Sequence, residues 1–234
     1  MVSPAGHDPD LHIASYGLDR CLAEVRAARA DPGPPAPEGW LVGDGAALAM
    51  IATAPPGGHV AEAAVTLLPD GTFELAVGTA EFGNGTTTVH RQIAADQLGT
   101  VPDRFTVHQS DTDAVGHDTG AYGSTGMMVA GTATLAAARD LAGRLRAAAA
   151  GHLRVPVAEC RLVPDGVAAG DRQVLLKELH QSAAAAGTEL AGAGRFDGTP
   201  RSVAFDVQWF RVAVDPAPGS CASCAACTPP TPAA

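Results

Sequence analysis

Of 234 residues, 46% are hydrophobic and only 4% aromatic, and 25 acidic against 15 basic side chains leave a net charge of −10. That is enough apolar material for one large domain or two small ones without staples, which excludes peptide toxins and disordered tails. The acidic balance repels a phosphate backbone, so nucleic acid is not an expected partner, and no uncharged apolar run reaches the roughly 18 residues that a membrane span requires. The opening Met1-Val-Ser-Pro-Ala-Gly-His lacks the basic and apolar regions of a secretory signal, so the expected location is the cytoplasm. The cysteine count of 5 is odd, which argues against a disulfide framework.

In chain order, Leu18, Cys21, Leu22, Val25 and Ala28 fall on one face at helical spacing and predict a short amphipathic helix over 16–29. Residues 31–39, rich in proline and glycine, then read as a connector. Strands are expected at 41–51 and 60–68, with Pro69-Asp-Gly turning the second into a strand at 73–79. A helix opens at Gly83-Asn-Gly-Thr-Thr-Thr, carries Val89, Ile93 and Leu98 near one face and stops at Gly99. A strand at 104–109 and a loop over 111–125 lead to an alanine-rich helix over 127–150, with Gly151 as its expected terminator. The last third brings a hairpin at Pro164-Asp-Gly, a helix over 177–186, and strands at 189–195 and 203–214. The expected fold class is α+β, a mixed β-sheet with helices packed on one face in a two-layer sandwich. Residues 1–39 are an N-terminal helix and connector, 40–216 the body, and 217–234 a tail without structure.

Chemistry concentrates between Gly78 and Ala95. A strand ends there, Gly83 and Gly85 bracket Asn84, and Thr86, Thr87 and Thr88 supply a first helical turn, so amides converge at the positive end of a helix dipole. An anion is expected to bind at that turn, although an isolated Gly-x-Gly more often makes only a tight strand-to-helix connection. His108, Asp111, Asp113, His117 and Asp118 have ligand-type side chains, but their spacing matches no closed zinc pattern and a solvated loop is the simpler reading. His90 is expected on the exposed part of its helix. His152 and His180 sit near helix ends, and Cys21 and Cys160 are expected as small packing residues.

Together with Asp111-Thr-Asp, Gly123-Ser-Thr-Gly and Gly131-Thr-Ala, the 78–95 segment resembles the large, molybdenum-binding subunit of the xanthine dehydrogenase and aldehyde oxidase family. The resemblance begins at Tyr16-Gly-Leu-Asp-Arg-Cys-Leu and runs to about Asp215. It implies a molybdopterin-binding domain in which Gly83, Asn84, Gly85 and Thr86 form one cofactor loop and Gly123, Ser124, Thr125 and Gly126 a second. Backbone amides and hydroxyls would hold the pterin dithiolene and the phosphate. Asn84 stands where most members carry glutamine, and its reach is shorter by a methylene. The implied cofactor is the molybdenum cofactor, as molybdopterin or its cytosine dinucleotide, with 2Fe-2S and FAD on partner subunits or domains. The implied activity is hydroxylation of aldehydes, purines or N-heterocycles with water as the oxygen source. The family's glutamate base belongs near the end of the full subunit and is expected to be missing here, so the chain reads as a fragment, inactive alone, without an assigned catalytic or metal-ligating residue. Glu81 lies in the pterin-loop segment and is not that base.

Cys221, Cys224 and Cys227 resemble the start of an iron–sulfur ligand set that lacks its fourth member. With codons chosen from the degenerate code, restoring one base near Ala217 yields Ala-Thr-Gly-Glu-Leu-Arg-Val-Leu-Arg, which alternates like a strand and resembles the family's continuation. Residues from about Pro218 onward are therefore expected to be out of frame. Two other classes stay open, a stand-alone carrier of the molybdenum cofactor and a small metal or redox protein that uses the cysteine tail.

Overall fold

The computed structural model describes residues 17–31, 33–53, 59–124, 126–197, 202–217 and 221–227, with side chains omitted at 52, 53, 202 and 221–227. In chain order the elements are α1 (Leu18–Arg29), β1 (Leu41–Thr53), β2 (Ala61–Leu67), β3 (Phe73–Val77), α2 (Thr86–Leu98), β4 (Phe105–Gln109), α3 (Gly131–Leu153), β5 (Arg161–Val163), β6 (Gly166–Ala169), β7 (Arg172–Leu175), α4 (Leu176–Ala185), β8 (Ala191–Phe196), β9 (Ser202–Val214) and β10 (Cys221–Cys227). They form two compact units, one from residues 54–199 and the other from 1–53 with 200–234. The expected division at residue 39 differs from this: α1 and β1 share a unit, because β1 pairs with β9 from the far end of the sequence.

The unit of residues 54–199 is built on a four-stranded sheet in the order β4-β3-β2-β8. β3 and β4 run parallel with α2 as the crossover, and the other pairs are antiparallel. Along β2 burial alternates strictly, with Ala61, Ala63, Val65 and Leu67 turned into the core. α3 answers with Ala133, Ala137, Leu141 and Leu145, all fully buried at a spacing of one helical stripe. The low aromatic content has its reason at this contact. A Cβ added at Gly194 would stand 2.1 Å from the carbonyl oxygen of Ala133, and one at Gly192 2.3 Å from that of Ala137. Glycines on β8 and alanines on α3 thus let strand and helix backbones touch, which leaves no room for rings. A three-stranded meander β5-β6-β7 belongs to the same unit, its first turn being the predicted Pro164-Asp165 hairpin.

Two expectations on α2 and α3 separate here. Gly99 ends α2 in the left-handed region at φ +65°, as the sequence predicts. Gly151 does not end α3: the helix runs on to bury Leu153, and Arg154 takes the left-handed conformation at φ +53°. A short π-helical turn, Gly126–Ala130, precedes it.

In the other unit β1 and β9 pair over their full length, from Leu41 opposite Val214 to Thr53 opposite Ser202. α1 covers part of one face by packing Cys21 and Val25 on Val207 and Trp209. The indole N–H of Trp209 donates to Asp44 at 3.0 Å, and Arg29 reaches the same carboxylate at 2.9 Å. The expectation of a structureless tail is corrected for 221–227, whose backbone pairs antiparallel with the second edge of β9, Cys221 opposite Val214 and Cys227 opposite Trp209. Ladder pairing uses main-chain groups alone, so a run of cysteine, alanine and serine can satisfy the open edge of β9 without any strand-specific pattern. The side chains of Cys221, Cys224 and Cys227, and residues 218–220 and 228–234, lie outside the described residues.

Candidate cofactor site

The first loop is organised around one acidic side chain. After β3 the chain passes Thr79, which is buried and whose hydroxyl donates to the Asp118 carboxylate at 2.8 Å. Gln109 at the end of β4 donates to the Thr79 carbonyl at 2.9 Å, which ties the loop's entry to the sheet. Glu81 then turns its carboxylate onto the start of α2 and accepts from the amides of Gly83 at 2.7 Å, Gly85 at 3.1 Å and Thr87 at 3.0 Å. The Thr86 hydroxyl lies 3.2 Å from the same carboxylate. The path is possible because Gly83 and Gly85 adopt φ +95° and +78°, where an L side chain is strained. The Thr87 amide first, and then those of Gly85 and Gly83, pull the Glu81 carboxyl down to about 2. The expected anion at this turn is therefore Glu81 itself, a role that sequence reading did not give it.

Asn84 is oriented by what it must accept. Its Oδ1 faces the Thr86 amide at 3.4 Å and the Thr86 hydroxyl at 3.2 Å. A backbone amide can only donate, so the carboxamide oxygen points inward and its NH2 group outward. Beside it Phe82 is exposed, and a Cβ added at Gly83 or Gly85 would meet nothing within 4 Å. The loop's outer surface is thus open, with the exposed Asn84 on it.

The second loop begins where Asp118 accepts from the Gly120 amide at 2.7 Å and crosses the end of β3. A Cβ at Gly78 would stand 2.3 Å from that of Asp118, so glycine is what allows the crossing. The Tyr122 ring lies 4.5 Å from the buried His59 ring. Gly123 and Ser124 follow in the left-handed region at φ +61° and +58°, Thr125 lies outside the described residues, and Gly126 opens the π turn before α3.

The two loops open helices that run the same way. His90 Nδ1 on α2 meets Thr134 Oγ on α3 at 2.8 Å, and further along Arg139 Nε donates to Gln97 at 3.2 Å. Both pairs advance together in sequence, so α2 and α3 are parallel neighbours and both start at one end. His90 is fully buried, which corrects its expected exposure: α3 lies across that face of α2. The Thr134 hydroxyl donates to the Ala130 carbonyl at 3.0 Å, so it accepts from His90, whose proton therefore sits on Nδ1. Nε2 is buried with no partner among the described residues. Burial lowers the imidazole to about 4, with the Asp118 charge pulling the other way.

The remaining polar residues of the 108–118 stretch are spread over separate tasks. His108 pairs with Glu74 at 3.2 Å, Asp111 accepts from the Asp113 amide at 2.9 Å, and Asp118 holds Thr79 and Gly120. Cys21 and Cys160 are buried free thiols, as expected.

Residues 15–223 match the molybdopterin cofactor-binding domain family. Over 160 residues the chain is 33% identical to the Escherichia coli (strain K12) protein named "Probable hypoxanthine oxidase XdhD", a match that covers 68% of this chain and 17% of that protein. Over 93 residues it is 33% identical to the carbon monoxide dehydrogenase large chain of Afipia carboxidovorans, covering 40% of this chain and 12% of the other. Among solved structures, the Cu,Mo-CO dehydrogenase aligns with TM-score 0.68 at 20% identity over 89% of this chain and 28% of its own. Quinoline 2-oxidoreductase from Pseudomonas putida 86 aligns with TM-score 0.66 at 20% identity over 88% and 28%. The chain thus spans a minor part of each relative, and the structural matches establish the fold. With the family matched over most of its length, the chain belongs to the molybdopterin cofactor-binding domain family of the xanthine dehydrogenase-type molybdenum hydroxylases.

Proposed function

We propose that this chain supplies one side of a molybdenum-cofactor site in a hydroxylase of aldehydes, purines or N-heterocycles. The observation that carries the reading is the common end of α2 and α3, where the 83–86 and 123–126 loops both open helices. Gly83, Asn84, Gly85 and Thr86 would line one flank of the cofactor, with the outward Asn84 NH2 donating to a ring nitrogen or carbonyl acceptor. Gly123, Ser124, Thr125 and Gly126 would line the other. When bound, the cofactor supplies the two-electron oxidation of substrate. This chain's residues bind and orient it, and the general base and the opposing wall would come from other parts of a full subunit. On this reading the chain alone is inactive, and FAD and 2Fe-2S partners carry the electrons away. Among the described residues no helix is long and apolar enough to cross a membrane, in keeping with a cytoplasmic assembly.

The test is expression of the chain alone and together with the remaining segments of a large subunit, followed by assay of molybdenum and pterin. Retention only in the reassembled protein is expected, with hydroxylation only there. Turnover by the chain alone would overturn the proposal, and cofactor held tightly by the chain alone would favour a carrier.

A further inference from the structure

The amides at the start of α2 are the obvious place to seat a phosphate, because they are unpaired within the helix and lie at the positive end of its dipole. In this chain three amides of the turn, those of Gly83, Gly85 and Thr87, are already taken. The Glu81 carboxylate accepts from Gly83, Gly85 and Thr87 at 2.7, 3.1 and 3.0 Å, and Thr86 Oγ completes the set at 3.2 Å. A ligand phosphate reaching the same amides would have to displace a charged group that is covalently tethered four residues before Gly85. If it came without displacing it, two anions would share one shell. We propose that Glu81 is the resident anion of this turn, a positioning residue that fixes the 83–86 loop and withholds its amides from phosphate, so that the loop takes the uncharged part of its ligand.

The chain's own geometry supports this assignment at each step. The two positive-φ glycines fold the backbone back so that a glutamate at this spacing reaches three alternate amides, those of Gly83, Gly85 and Thr87. Thr86 is buried and turned inward toward both Glu81 and Asn84, so it is not an outward hydroxyl for phosphate either. What faces out is the Asn84 NH2, a neutral donor suited to an acceptor on a heterocycle. A phosphate-bearing ligand would then place its phosphate elsewhere. The naming of a pterin as the occupant rests on the function proposed above, but the occupancy of the amides does not.

The experiment needs no cofactor. The full chain, labelled with 15N, is titrated with inorganic phosphate, and amide exchange is followed at Gly83, Gly85 and Thr87 in the unaltered chain, in Glu81→Gln and in Glu81→Ala. In the unaltered chain these amides are expected to be protected and to show no saturable shift with phosphate. Glu81→Ala should exchange about tenfold faster at all three and gain a saturable phosphate response, while Glu81→Gln, which keeps one acceptor oxygen, falls between. A saturable response in the unaltered chain would overturn the proposal. So would unchanged exchange in Glu81→Ala, or faster exchange there with no gain of phosphate binding. Should Glu81→Ala lose its core resonances, the same criteria apply to Glu81→Gln. A failed molybdenum and pterin assay would sink the proposed function and leave this result standing, and the reverse holds as well.

Discussion

His90 Nδ1 and Thr134 Oγ meet at 2.8 Å in a fully buried contact that joins α2 to α3 behind the two loops. Because the threonine proton is committed to Ala130, the contact requires a proton on Nδ1, which neutral and charged imidazole both carry, and it is burial that holds the imidazole down at about 4. An unfolded histidine titrates near 6.5, so between these values the unfolded chain binds the proton that the folded chain refuses. This contribution to stability is complete above about pH 6.5 and is lost as pH falls toward 4, amounting to about 3 kcal/mol over the window. Urea unfolding at pH 7.5, 5.5 and 4.5 should show a steeper loss for the unaltered chain than for His90→Gln. Equal slopes would mean that His90 takes up its proton in the fold as readily as in the unfolded chain, and that burial does not lower it.

The backbone contact between α3 and β8 gives an opposed pair of substitutions. Gly194→Ala would drive a methyl group to 2.1 Å from the Ala133 carbonyl and 2.4 Å from the Ala137 amide, both main-chain atoms that cannot step aside. Destabilisation by about 2–4 kcal/mol is expected, by overpacking. Gly143 lies exposed within α3 with nothing within 4 Å of its added Cβ, and Gly143→Ala should stabilise by about 0.5–1 kcal/mol through helix propensity. Thermal unfolding of the two variants beside the unaltered chain decides the matter, and equal midpoints would remove the close-approach argument.

How much of this was legible beforehand follows from the range of each interaction. The Pro69-Asp-Gly turn, the strand that became β2 and the stop of α2 at Gly99 are local, and all were readable. That Gly83 and Gly85 open a helix and that a loop leads into the alanine-rich helix were readable as well. Glu81 was missed because its role depends on the chain doubling back, which residue spacing suggests only once Gly83 and Gly85 are known to hold positive φ. His90 was misplaced because one helix's periodicity cannot tell which second face a neighbour will cover, and α3 covers it. The pairing of β1 with β9 joins the two ends of the sequence, and no local pattern announces it.

Gly85 provides the direct check on the first loop. At φ +78° a valine carries both the left-handed penalty and a branched side chain on the loop's open face. In a reassembled large subunit, Gly85→Val should abolish retention of molybdenum and pterin, whereas Arg146→Gln, far along α3 from its first turn, should leave it unchanged. Full cofactor content in Gly85→Val would remove the 83–86 loop from the site.

The edge of β9 carries the last prediction. β10 pairs along it from Val214 to Trp209, and without that strand the main-chain donors and acceptors of this edge would face solvent. The opposite strand, β1, already exposes Leu41, Leu48, Met50 and Ile51, so the sheet has apolar surface ready to template association. A chain ending at Asp215 should therefore aggregate faster than the full chain at equal concentration, with faster amide exchange at Val212 and Val214. Leu48→Lys in the shortened chain should slow that aggregation by placing a charge on the exposed strand, because pairing between copies would bring like charges together. Light scattering follows both comparisons. Equal aggregation of the full and shortened chains would show that the β10 backbone contributes no protection to β9, and that its pairing follows from an available edge without stabilising it.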